Sequence, residues 1–180
     1  MTRLAITSTI LGAVIVAGRL PGVVAPEKFR THAQRFPRSI LWGRILIGIA
    51  AMWAGISVYR AAIDDWEWAR PLVVVGVPIA YWLVIRYADQ FLALRGTAAL
   101  LMLIAKVALD AADLSDVPSR LVVTVLAYLW VCAAMWMAVA PHQVRDWIGV
   151  VTANDARCRA VCSFTTAIGA LLVVLGLFLY

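Results

Sequence analysis

A chain of 180 residues that is 64% hydrophobic and only 14% charged, with a formal net charge of +6, has too little polar surface to enclose a water-soluble core. These values exclude an ordinary soluble domain and predict an all-α polytopic membrane protein. Basic residues track the ends of apolar runs instead of forming a soluble patch interleaved with aromatics, which gives nucleic-acid binding no support.

Crossing ~30 Å of hydrocarbon takes ~20 helical residues. Six runs of that size are predicted at about 4–24, 39–62, 71–87, 91–111, 118–140 and 158–180. The connections are too short and polar to form another unit, so residues 1–180 read as a single transmembrane domain. The first run, with Arg3 before it and Val23-Val24-Ala25 at its end, has the outline of a cleavable signal. Pro26 would follow the scissile bond, however, and the same Ala-Pro junction recurs at Ala140-Pro141, so a retained helix is expected.

Ala5, Ser8 and Gly12 share one face of this first helix, Ala51 and Gly55 are spaced for close approach on the second, and Gly169 and Gly176 stand a heptad apart on the sixth. The third run contains Gly76 and Pro78, the pattern of a kink or of a transporter-like break. In the fourth, Lys106 and Asp110 are four residues apart and form an intramembrane polar pair. Such a pair is either satisfied internally, helped by snorkelling, or part of an ion path. Trp42, Trp66, Trp68 and Trp147 fall at predicted interfaces and anchor depth.

An echo runs through the chain. Ala25-Pro26, Arg30 and Arg44 reappear as Ala140-Pro141, Arg145 and Arg159, each 115 positions on. Odd-numbered helices match odd-numbered helices, so this is a parallel repeat relating the first and third of three hairpins. The loops after the repeated prolines carry the same periodicity: Phe29, Ala33 and Phe36 form one helical face, and Val144, Ile148 and Val151 stand at the same offset. Both segments are predicted to lie flat on the membrane as interfacial helices.

The first repeat runs Pro26-x-x-Phe29-Arg30, a basic loop, Phe36-Pro37, Ile40-Leu41 and Arg44, then a helix with Gly48 and Gly55. In this it resembles the small two-helix bacterial inner-membrane proteins of the YjeT type, whose function is not established. The resemblance covers residues 10–60, with a fainter copy at 125–178 that lacks the aromatic-Pro pair. It implies three concatenated hairpins and no particular activity.

Orientation follows from the basic residues. Arg19, Lys28, Arg30, Arg35, Arg38, Arg44, Arg86, Arg95, Arg145, Arg157 and Arg159 lie toward one side, against Arg3, Arg60, Arg70 and Arg120 on the other. Positive charge stays inside, so the basic loops are predicted cytoplasmic and both termini periplasmic, in a bacterial inner membrane. Lys28, Arg30, Arg35, Arg38, Arg44, Arg145 and Arg159 are the residues expected to contact anionic lipid headgroups or partner subunits.

Reactive constellations are sparse. His32 and His142 lie in loops, where haem ligation between spans is not expected. Cys158 and Cys162 share a helix face but lack further ligands at metal-site spacing, and with Cys132 they make an odd set that is no disulfide framework. The acids Asp64, Asp65, Glu67, Asp113 and Asp116 read as solvated caps of the outer loops. No phosphate loop, zinc-protease motif or nucleophile elbow is present. The expectation is a non-enzymatic accessory or scaffold subunit of a membrane assembly, without a cofactor. A small transporter using Lys106 and Asp110 is the alternative.

Overall fold

The computed structural model describes residues 2–61, 68, 70–87, 91–115 and 117–180. Eight α-helices are formed among them: α1 (Arg3–Val24), α2 (Pro26–Arg35), α3 (Ile40–Ala61), α4 (Arg70–Tyr87), α5 (Leu92–Asp113), α6 (Arg120–Val139), α7 (Pro141–Val151) and α8 (Asp155–Phe178). A short 3₁₀ turn, Phe36–Arg38, joins α2 to α3. Six of the helices (α1, α3, α4, α5, α6 and α8) are long and apolar enough to span a membrane.

The predicted spans agree with these helices to within a turn. The largest difference is at α8, which begins at Asp155 instead of residue 158. Hydropathy misses this first turn because its residues are polar, yet an acid at a helix N-terminus is favoured by the helix dipole. Helix α4 runs without interruption through Pro78.

Close approach of backbones holds the bundle together. Helix α1 packs along α8 through Ala5, Ser8 and Gly12 on one side and Gly169, Leu172 and Gly176 on the other. A methyl group on Gly12 would stand 2.5 Å from the carbonyl oxygen of Gly169, so only glycine permits this spacing. The buried Ser8 hydroxyl donates to the carbonyl of Leu172 at 3.2 Å, a polar tie across the same seam. Helix α5 lies centrally, packed against both α3 and α6. Its inward faces are rich in alanine (Ala93, Ala98, Ala105, Ala108, Ala111 and Ala112), which lets neighbours approach where larger side chains would hold them apart. Leu4, Val123, Ala127 and Leu172 complete one core cluster around Ala105 and Ala108.

The most extensive packing is between α1 and α8 and between α5 and both α3 and α6, with α3 against α4 smaller. The first span of each expected hairpin packs on the second span of another: α1 on α8, α6 on α5 and α4 on α3. Sequential neighbours α1 and α3, or α6 and α8, are not extensively packed among the described residues. The intervening helix explains this. A ten-residue helix such as α2, laid across the end of the bundle, carries the chain about 15 Å before the next span begins. Helix α4 is the least embedded, with no buried residue, and touches α3 through Val77 near Gly55 and Tyr81 near Gly48.

Candidate functional site

Helices α2 and α7 lie together at the basic end of the bundle. Both arise in the same way. Ala25 (φ −133°, ψ 70°) and Ala140 (φ −128°, ψ 62°) leave the helical region, as a residue before proline tends to. Pro26 and Pro141 then occupy the first helical position, where the missing N–H costs nothing. The break turns the chain out of a span and onto a new axis.

The two predicted apolar faces meet. Phe29, Ala33 and Phe36 from the first loop and Val144, Ile148 and Val151 from the second line one cavity of about 740 Å³. Leu94 and Thr97 of α5 and Val161 and Thr165 of α8 contribute further wall, with Trp42 and Trp147 half exposed beside them. Cys158 and Cys162 are also among its lining residues, and both are almost fully buried. Gly22 of α1 leaves the room that the Cys162 sulfur fills. Among the described residues, no cluster of three or more His, Cys, Asp or Glu is placed to hold a metal ion.

A polar clamp closes one side. Arg30 pairs with Asp155 and also donates to the carbonyls of Thr152 (2.6 Å) and Ala153 (2.7 Å), so one guanidinium satisfies the turn between α7 and α8. Gln34 donates to the buried Thr152 hydroxyl at 3.0 Å, which itself donates to Ile148 O at 2.7 Å. Helix α2 is thereby fixed to the start of α8, 120 residues and more away in sequence.

The seven candidate headgroup residues divide into two groups. Arg30 is committed to the clamp. Arg145 pairs with the adjacent Asp146 at 2.6 Å and lies 5.8 Å over the Phe91 ring, a cation–π contact with the start of α5. Phe91 itself is left-handed (φ 57°), an unfavourable geometry for a non-glycine residue. Lys28, Arg35, Arg38, Arg44 and Arg159 are exposed, and their side chains make no hydrogen bond or ion pair with another described residue. Arg19 and Arg35, with His32, stand among the cavity-lining residues. The His32 Nδ1 is 2.8 Å from Lys28 O, while His142 is exposed on α7 and does not line the cavity.

Lys106 and Asp110 do form an ion pair, one turn apart on the exposed face of α5. Asp110 also borders a shallower recess of about 430 Å³ near the opposite end, with Asp113, Arg120 and Tyr128. Asp64, Asp65, Trp66, Glu67 and Asp116 lie outside the described residues.

Neither the cavity nor the clamp was evident from sequence. The signals were Arg19, a base inside the predicted span 4–24, and Asp155, an acid opening the last helix. No family model matches the chain, and comparison with curated proteins and with solved structures returned no match.

Proposed function

We propose that this chain is a non-enzymatic accessory or scaffold subunit of a membrane assembly, held on an anionic lipid surface by its basic end and docking through apolar helix faces. The observation that carries this reading is the side-by-side position of α2 and α7 with Lys28, Arg35, Arg38, Arg44 and Arg159 left exposed. At ~1 kcal/mol per base near an anionic leaflet, five such residues supply a few kcal/mol of attraction. Helix α4, with no buried residue of its own, offers Leu72, Val75, Ile79 and Trp82 to a neighbouring span.

In this reading the basic end is cytoplasmic and the membrane is a bacterial inner membrane, as the distribution of arginine favours. The three-hairpin repeat belongs to the same proposal, and with it the YjeT-type resemblance. Its support is the near-identical backbone at Ala25 and Ala140 and the packing of each first span on another hairpin's second span, α1 on α8, α6 on α5 and α4 on α3, beside the α3–α5 contact.

The test is photo-crosslinking from Val75 and Ile79 of α4 in native membranes, followed by purification in mild detergent. The expected product is a crosslink to one membrane protein at fixed stoichiometry, recovered again when that protein carries the tag. Recovery only as an uncrosslinked monomer, with no partner by native mass spectrometry, overturns the reading.

A further inference from the structure

We propose that the cavity between α2, α7 and the start of α8 binds one anionic phospholipid, with an acyl chain inside and the phosphate on Arg19 and Arg35. This rests on the reading of the basic end as a membrane-facing surface and names the ligand of that site. The volume of about 740 Å³ falls among those of small-molecule sites, which run ~300–1,000 Å³.

The interior selects for hydrocarbon. Its walls are Phe29, Ala33, Leu94, Val144, Ile148 and Val161. The hydroxyls of Thr97 and Thr165 are spent on carbonyls of their own helices, Thr97 on Ala93 O at 2.8 Å and Thr165 on Val161 O at 2.9 Å. Thr152 is spent likewise on Ile148 O. A peptide or a polar ring placed inside would lose its hydrogen bonds to water and find few replacements, whereas an acyl chain needs none.

The charged lining residues select for an anion. Arg30, five residues before Arg35 on α2, is neutralised by Asp155, yet no carboxylate among the described residues pairs with Arg19 or Arg35. Two unpaired guanidinium groups on an apolar cavity match a phosphate joined to a hydrocarbon chain, and guanidinium meets phosphate with paired donors. A chain moving from the bilayer into such a cavity exchanges one apolar environment for another and gains little. Occupancy therefore depends on the headgroup, and the site discriminates by charge.

The test uses the full chain in mild detergent with an equimolar mixture of phosphatidylglycerol and phosphatidylcholine of identical acyl chains, read by native mass spectrometry. The expected result is one retained phosphatidylglycerol per chain, preferred about tenfold over phosphatidylcholine. In the Arg19→Gln/Arg35→Gln variant the preference falls to near unity, whereas Arg3→Gln, at the far end of α1, leaves it unchanged. Ala33→Trp places an indole inside the cavity and lowers retention of both lipids at unaltered helical circular dichroism. If that variant does not fold, Ile148→Trp tests the opposite wall. Equal retention of the two lipids by the unmodified chain overturns the proposal, as does retention that neither tryptophan lowers. Loss of lipid selectivity with the α4 crosslink intact refutes this site alone; loss of the crosslink with selectivity intact refutes the accessory-subunit reading alone.

Discussion

Adding a single methyl group at Gly12 should weaken the seam between α1 and α8 far more than the same change six residues along the helix. A Cβ at this position would lie 2.5 Å from Gly169 O and 2.8 Å from Val173 N, where ordinary contact is 3.4–4 Å. Both obstacles are backbone atoms, so no rotamer change relieves them and α8 must move about 1 Å. A gap of that order forfeits a quarter to a half of the dispersion energy of each atom pair along the seam, and overpacking of this kind costs ~1–3 kcal/mol. The Ser8–Leu172 bond, already 3.2 Å long, is stretched by the same movement and loses ~0.6 kcal/mol. Gly18 on the same helix has nothing within 4 Å of a built Cβ, so Gly18→Ala reports the helix-propensity gain alone, ~0.5–1 kcal/mol. The expected separation between Gly12→Ala and Gly18→Ala is therefore about 2–4 kcal/mol, measured by steric trapping in bicelles. Gly12→Ala/Gly169→Ala should cost less than the sum of its parts, because the first methyl already parts the helices. Equal stability of Gly12→Ala and Gly18→Ala would refute the close-packed seam.

Replacing Arg30 with Gln leaves Asp155 and two carbonyls of the α7–α8 turn without their donor. A loss of about 1–2 kcal/mol is expected, toward the lower part of the range for charged hydrogen bonds because Asp155 is partly open to solvent. Distances between spin labels on α2 and α7 should broaden, and an unchanged distribution would contradict the clamp. For Lys106 and Asp110, each single replacement by an apolar residue should destabilise the protein more than Lys106→Met/Asp110→Leu together, as a mutually satisfied pair demands; a proteoliposome flux that the double variant abolishes would point instead to the transport alternative. Burial raises the Tyr180 phenol above its ordinary value of 10.0, and the phenol donates a 2.6 Å hydrogen bond to Ser119 O. The folded state therefore favours the neutral phenol. Its contribution should be intact below pH 10 and decline as pH rises through the raised value, a decline absent from Tyr180→Phe in thermal melts across alkaline pH.

Much of the architecture is local and was legible for that reason. A span announces itself by length and hydropathy, and a helix lying in the interface by a three-to-four residue period after a proline. The small residues Ala5, Ser8, Gly12, Gly169 and Gly176 were likewise recognisable as places of close approach. Which helix approached them was not, because packing partners depend on how far α2 and α7 carry the chain before it re-enters the bundle.

The sequence by itself determined six apolar spans, two amphipathic connecting helices and a concentration of arginine at one end, since hydropathy, periodicity and charge are properties of neighbouring residues. Only the tertiary structure separated Arg30 from Arg35. Five residues on an α-helix turn the side chain by roughly 140°, enough to direct one arginine to Asp155 and leave the other on a cavity with no ion pair among the described residues. The same fold brought the faces of Phe29 and Val144, far apart in sequence, around one volume.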